Sequence, residues 1–114
     1  MKEIKIPHLE YTVKVFDLSV LNMQNEMGVP VNIKGSGYTC VSGEYECSIF
    51  IEDLENSKNM IERIPTIAHE CMHAIQIMCE KFGMKVENEQ EHTAYLMHYL
   101  LKEIVETAPN PTHE

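Results

Sequence analysis

The fold is decided by the stretch IPTIAHECMHAIQIMCEKFG, residues 64–83. Its apolar side chains recur at intervals of three and four residues, which places them on one face of an α-helix. That stripe consists of Ile64, Ala68, Cys71, Ile75, Met78 and Phe82. Pro65 suits the first turn of a helix and Gly83 suits its end. The stretch therefore predicts a helix of about five turns over residues 65–82.

A second helix is predicted after a turn over residues 83–88. An apolar stripe with the same spacing extends over residues 89–106. This stripe consists of Ala94, Met97, Leu101 and either Ile104 or Val105. Leu96 and Leu100 add a second apolar side, so we expect the helix to be well buried.

The first half of the chain has the alternating pattern of β-strands. Residues 4–16 alternate β-branched and polar side chains and predict one half-buried strand. Residues 38–41 and 45–51 predict two more strands, joined at Ser42 and Gly43. The sequence therefore predicts an α+β fold in which a small antiparallel sheet packs on two long helices.

Two weaker signals lie between these strands. Residues 17–28 favour a short helix that ends before Pro30, and residues 34–37 favour a turn. Residues 1–107 are expected to form a single domain, because a chain of 114 residues has too little apolar surface for a second core. Residues 108–114 form a polar, proline-containing tail that we expect to be flexible.

The composition excludes several classes of partner. The chain has 18 acidic and 9 basic residues, a formal net charge of -9, and no basic cluster that could neutralise a nucleic-acid backbone. No apolar run approaches the ~18 residues of a membrane span, and the first residues, MKEIKIPHLE, do not resemble a signal peptide. We therefore expect a soluble, cytoplasmic protein that binds neither nucleic acid nor membrane.

The four cysteines fit a reducing compartment. Cys40, Cys47, Cys71 and Cys79 include no Cys-x-x-Cys pair, and a chain of this length can form a core without disulfides. Cys40 and Cys47 could face each other across a hairpin, while Cys71 and Cys79 share a helix face. Buried reduced thiols are the favoured interpretation, with a disulfide or a cysteine metal site as the alternative.

The predicted first helix contains the motif His69-Glu70-Cys71-Met72-His73, an H-E-x-x-H sequence. Residues four apart lie one turn apart on the same helical face, so both imidazoles can reach a single zinc ion. Glu70 lies beside the ion, where a carboxylate can take a proton from a water molecule and act as general base. The alternative is that both histidines are ordinary surface or packing residues.

A catalytic zinc ion has three protein ligands, so the motif predicts a third ligand elsewhere in the chain. Glu91 is the preferred candidate, because it begins a polar stripe on the otherwise apolar second helix. That stripe continues through Tyr95, His98 and Lys102. Glu89 and His92 remain alternatives, although Glu89 also suits helix capping and His92 turns toward Leu96.

His69, Glu70 and His73 on one helix, followed by Glu91 on the next, resemble the gluzincin branch of the zincin metallopeptidases, the group that includes thermolysin. The short chain, the run over residues 67–73 and the run over residues 91–96 are similar to small zinc peptidases of bacteriophages and mobile elements. The resemblance covers about residues 45–106. It implies a minimal zincin-like domain.

By position, the resemblance implies that His69, His73 and Glu91 are zinc ligands and that Glu70 is the base. The chain departs from thermolysin in its small size and in the sequence His-Thr-Ala-Tyr that follows Glu91. The substrate class therefore does not carry over.

Two further roles follow from a zincin-like site. The strand over residues 45–51 could bind an extended peptide by main-chain pairing, or could be a plain sheet edge with acidic flanks. Tyr95 or His98 could stabilise the transition state by donating a hydrogen bond to the developing oxyanion. A core-edge aromatic ring and a surface histidine are the favoured alternatives for these two residues.

The leading functional hypothesis is a zinc-dependent hydrolase, most simply a peptidase, with Glu70 as general base and a peptide or protein as substrate. The alternative is a non-catalytic, zinc-stabilised protein-binding module with a closed four-ligand site. A third hypothesis is an enzyme that acts on a single partner protein. The sequence predicts neither the oligomeric state nor the natural substrate.

Overall fold

The structure is a computed structural model that describes residues 1–17, 37–52, 54 and 60–107. Within these ranges it has four strands, two α-helices and one short 3-10 helix. They are β1 (Lys2–Ile6), β2 (Tyr11–Asp17), β3 (Gly37–Gly43), β4 (Glu46–Ile51), α1 (Met60–Lys81), the 3-10 helix Val86–Asn88 and α2 (Gln90–Thr107). The predicted α+β class, with two long helices beside one sheet, is confirmed.

The sheet is mixed, which corrects the expectation of an antiparallel sheet. The strand order is β1-β2-β4-β3. The outer pairs β1–β2 and β3–β4 are antiparallel, whereas β2 and β4 run parallel. Parallel neighbours need a connection of about a dozen residues or more, and the chain between β2 and β4 is long enough to provide it. The sequence showed three strands but no indication that the first and the last of them were neighbours.

The predicted strand over residues 4–16 is two strands, β1 and β2, joined by the turn Pro7–Glu10. His8 and Glu10 turn the chain with positive φ angles of 73° and 52°, although neither is a glycine. Because the turn lacks glycine and the side-chain alternation resumes after it, the pattern resembles one long strand. The predicted hairpin over residues 38–51 is present, but its turn lies at Glu44 and Tyr45, two residues later than expected.

The core lies between one face of the sheet and the helices. Its strand residues are Ile4, Ile6, Tyr11, Val13, Val15, Cys47, Ile49 and Ile51. Helix α1 packs on β3 and β4, and α2 packs on α1 and on β1. The opposite face of the sheet carries a separate aromatic group, in which Phe16 stacks on Phe50 with ring centroids 5.0 Å apart.

Helix α1 begins at Met60, five residues before the predicted start, so Pro65 lies inside the helix and not in its first turn. Its end was predicted closely: Lys81 is the last helical residue, and Gly83 adopts a positive φ of 71°. The Gly83 N–H donates to the Glu80 carbonyl at 3.3 Å and the Met84 N–H to the Cys79 carbonyl at 2.8 Å. These two hydrogen bonds form a Schellman motif, which satisfies carbonyls at the helix end.

The buried face of α2 differs from the predicted one. Thr93, Leu96, Leu100 and Ile104 are buried, whereas Ala94 is exposed and Met97, Leu101 and Val105 are half-buried. The predicted second apolar side is therefore the main packing face. A helix with apolar residues on two sides has two candidate stripes, and its sequence alone does not determine which one packs.

The cysteines follow the favoured interpretation. All four thiols are free, with Cys47, Cys71 and Cys79 buried and Cys40 half-buried. Cys40 pairs with Ser48 and not with Cys47, so alternation places Cys40 and Cys47 on opposite faces of the sheet.

Neither α1 nor α2 is long and apolar enough to cross a membrane, and no other helix of the described residues is. The predicted short helix over residues 17–28 and the predicted turn over residues 34–37 lie outside the described residues, except that Asp17 ends β2 and Gly37 begins β3. The predicted tail over residues 108–114 also lies outside the described residues.

Candidate metal centre

His69 and His73 project from the middle of α1 into solvent, on the side of the helix away from the core. Their Nε2 atoms are 3.2 Å apart. The two rings have centroids 4.8 Å apart and are nearly perpendicular, at 80°. The helical spacing of four residues and the rotamers of both side chains therefore bring two imidazole nitrogens to one point.

This separation fits two ligands of one zinc ion. Two nitrogens bound at ~2.0–2.1 Å to a tetrahedral ion lie ~3.3 Å apart, close to the 3.2 Å between the Nε2 atoms. In the absence of a cation, one Nε2–H can donate to the other Nε2. The pair is therefore arranged to share either a proton or a metal ion.

Glu70 points to a different side of the helix, because successive residues are rotated by about 100°. It is 5% exposed, whereas its histidine neighbours are exposed. The Thr39 hydroxyl of β3 donates to Glu70 Oε1 at 2.6 Å and lies 3.3 Å from the Glu70 main-chain oxygen. The carboxylate is therefore held between α1 and the edge of the sheet.

Gly37 of β3 leaves the space that the Glu70 side chain occupies. A Cβ atom at Gly37 would lie 2.8 Å from Glu70 Cγ and 2.9 Å from Oε2, closer than real Cβ contacts. Gly37 and Thr39 are two apart on the strand, so both face α1. Sequence reasoning predicted this strand but missed its contact with Glu70. Gly37 was assigned to the turn over residues 34–37, so its place on the face of β3 that packs against α1 was also missed.

The three candidates for the third ligand lie together at the start of α2. Glu89, Glu91 and His92 line one open depression, with Asn88 and Gln90. Among the described residues, no three His, Cys, Asp or Glu side chains form a group that could hold a metal ion. The structure therefore brings His69 and His73 together but does not bring a third predicted ligand to them.

His92 differs from the other two candidates in its surroundings. Glu89 and Glu91 are exposed, whereas His92 is half-buried. Its Nε2 atom is buried and has no hydrogen-bond partner among the described residues. The inward orientation agrees with the expectation that His92 turns away from the Glu91 stripe.

The predicted transition-state stabilisers lie on the exposed face of α2. Tyr95 is 48% exposed, and its ring stacks on Tyr99 with centroids 6.2 Å apart. The Tyr99 hydroxyl donates to the Lys5 carbonyl of β1 at 3.2 Å. These contacts place Tyr95 on the β1 side of the molecule, whereas Glu70 contacts β3 at the other sheet edge. His98 is exposed.

The thiol nearest in sequence to this centre is not suited to metal binding. Burial raises the pKa of Cys71 to about 12, with smaller contributions from Cys47 and Glu70. Burial also raises the pKa of Cys47 to about 12. Both side chains belong to the hydrophobic core.

No protein-family model, curated protein or solved structure matches this chain. The chemistry of the site is therefore inferred from its own residues and their distances.

Proposed function

We propose that this chain is a zinc-dependent hydrolase, specifically a peptidase of the gluzincin type, similar to the small zinc peptidases of bacteriophages and mobile elements. The observation that carries the proposal is the 3.2 Å separation of the His69 and His73 Nε2 atoms on one helix, with the Glu70 carboxylate between them in sequence. Two imidazoles at ligand spacing and a carboxylate held on the same helix are two of the parts of a metal-assisted hydrolase, and the third ligand is the part still to be supplied.

Each residue has a distinct task in this proposal. His69 and His73 would hold the ion through Nε2, and a bound zinc ion would supply Lewis acidity and a water molecule of lowered pKa. Glu70 is proposed as the general base that accepts a proton from the attacking water and passes it to the leaving amine. Glu91 is proposed as the third ligand, which requires the start of α2 to lie nearer the histidine pair when metal is bound.

The edge strand β3 favours an extended peptide as substrate. The predicted peptide-binding strand, residues 45–51, corresponds to β4, which is paired on both sides by β2 and β3 and has no free edge. Among the described strands, β3 has β4 as its only neighbour. Because β3 also contacts Glu70 through Thr39, a peptide that pairs with the side of β3 opposite β4 would lie beside the proposed base.

We further propose that the protein acts in the cytoplasm. The four free thiols support this location, since disulfides are rare in reducing compartments. The acidic net charge of -9 supports a protein or peptide partner over a nucleic acid.

The first prediction concerns Glu70→Gln, which keeps the size and hydrogen-bonding capacity of the side chain but removes its basicity. We expect kcat for peptide cleavage to fall by about 100-fold or more, because no other carboxylate is held at this position. Zinc content is expected to stay unchanged, since Glu70 is not a ligand. Cleavage of a peptide library by zinc-loaded protein, followed by mass spectrometry, measures the first effect, and metal analysis measures the second.

Glu80→Gln is the matched control, because Glu80 lies on the same helix and is exposed. It is expected to cleave like the wild type. Equal cleavage by wild type and Glu70→Gln would show that Glu70 is not the base. A zinc-bound wild type that cleaves nothing and shows four protein ligands by X-ray absorption would support the non-catalytic binding module instead.

A further inference from the structure

We propose that Thr39 and Gly37 of β3 are positioning residues that fix the orientation of the Glu70 carboxylate. This inference rests on the proposed role of Glu70 as general base. The H-E-x-x-H motif places the proposed centre on α1 alone, and this inference adds strand β3 to it.

Thr39 fixes one oxygen of the carboxylate. Its hydroxyl lies 2.6 Å from Glu70 Oε1 and 3.3 Å from the Glu70 main-chain oxygen. A hydroxyl has one hydrogen to donate, and the shorter distance assigns it to Oε1. Hydrogen bonds to a charged acceptor are shorter and stronger than neutral ones. The Thr39 hydroxyl therefore holds the carboxylate at Oε1, and both carboxylate oxygens keep lone pairs that can accept a proton.

Gly37 leaves the space that the other carboxylate oxygen, Oε2, occupies. The position of a Cβ atom on Gly37 lies 2.9 Å from Oε2 and 2.8 Å from Cγ. Any side chain at this position must displace the Glu70 side chain or move the strand. Glycine at residue 37 therefore permits the close approach of β3 to the carboxylate.

The two contacts together determine the orientation of the Glu70 carboxylate. The general base must lie within hydrogen-bond reach of the proton that it accepts, and small displacements of a catalytic group lower the rate strongly. Glu70 is buried and has several rotatable bonds, so its own helix does not fix the carboxylate. The Thr39 hydroxyl holds Oε1 by a hydrogen bond, and Gly37 leaves the space that Oε2 occupies.

A purely structural role would have different consequences. If Thr39 only tied β3 to α1, its loss would lower stability but leave kcat of the folded protein unchanged. A positioning role predicts loss of kcat with KM and zinc affinity retained, and recovery when a hydroxyl is restored at the same position.

The test compares Thr39→Val, Thr39→Ser and the control Thr12→Val in the zinc-loaded full-length protein. Thr12 is on β2, and its change has the same chemistry away from Glu70. We expect Thr39→Val to lower kcat about tenfold, or about 1.4 kcal/mol in the barrier, with KM and zinc affinity within twofold. Thr39→Ser should recover kcat to within about threefold of the wild-type value. The control Thr12→Val should have the kcat of the wild type.

A stability measurement, which does not depend on enzymatic activity, tests the contact between Gly37 and Glu70. We expect Gly37→Ala to lower the urea midpoint of the metal-free protein, but not in a Glu70→Ala background, where the side chain that it meets is absent. An equal decrease in both backgrounds overturns the assigned contact.

The outcomes separate the two proposals. If the wild type is active, two results overturn the positioning role alone. One is a kcat of Thr39→Val within twofold of the wild-type value, and the other is a kcat that Thr39→Ser does not restore. A zinc-loaded wild type that cleaves no peptide overturns the proposed function and the positioning role with it. Background-dependent destabilisation by Gly37→Ala, together with the kcat loss in Thr39→Val, establishes the positioning role.

Discussion

A buried polar atom destabilises a protein unless it has a hydrogen-bond partner, and Glu70 and His92 differ in this respect. Glu70 Oε1 accepts the Thr39 hydroxyl hydrogen at 2.6 Å. His92 Nε2 is buried, with no hydrogen-bond partner among the described residues. A carboxylate that is buried and held suits a catalytic group, whereas the unpaired imidazole nitrogen costs stability.

The prediction at His92 follows from that cost. We expect His92→Leu to raise the free energy of unfolding by about 1 kcal/mol, because leucine removes an unpaired buried nitrogen from a half-buried position on α2. Chemical denaturation of the metal-free protein measures the change. His98→Leu, at an exposed position of the same helix, is the control and is expected to stay within about 0.5 kcal/mol.

The same variant decides between two candidates for the third ligand. If Glu91 is the ligand, His92→Leu keeps its zinc. Loss of zinc from His92→Leu, with zinc retained in Glu91→Ala, would transfer the assignment to His92.

At the scale of elements, the end of α1 depends on one glycine. Gly83 has φ +71° and the Schellman hydrogen bonds, and a Cβ atom there would meet nothing within 4 Å. Substitution therefore tests backbone strain without a steric clash. We expect Gly83→Ala to lower the free energy of unfolding by about 1 kcal/mol, measured by urea denaturation.

Gly83→Asn is the matched control, because asparagine tolerates the left-handed region better than alanine. It is expected to lower stability less than Gly83→Ala does. Equal stability of wild type and Gly83→Ala would show that this helix end is not strained by a side chain.

How well the sequence predicted each element depended on how local its determinants are. The end of α1 was predictable because Gly83 has one strong conformational preference. The start of α1 was not predictable in this way. Proline is common in a first turn, but this helix begins at Met60 and contains Pro65 in its interior. The turn Pro7–Glu10 was missed because its positive φ angles fall on His8 and Glu10, and a positive φ is uncommon outside glycine.

At the scale of the whole molecule, the candidate site combines one local and one long-range feature. The close approach of His69 to His73 was predictable because a single helix sets their spacing. Thr39 lies 31 residues before Glu70, and no sequence pattern links positions brought together by packing of α1 on β3. The approach of Glu91 to the pair is long-range in the same sense, and it stays a prediction.

The proposed site spans a buried and an exposed part of the fold. Glu70 is buried where α1 meets β3, whereas His69 and His73 project into solvent from the same helix. Binding of metal to the folded state alone stabilises that state by mass action, so zinc is expected to raise the unfolding midpoint of the wild type.

Zinc content of the purified protein tests the central claim most directly, with the wild type compared with His69→Ala/His73→Ala after equilibration with zinc and removal of unbound metal. The matched control is His8→Ala/His98→Ala, which removes two other histidines. We expect about one zinc ion per chain in the wild type and the control, and none in His69→Ala/His73→Ala. A wild type without zinc, or equal zinc in all three proteins, would contradict it.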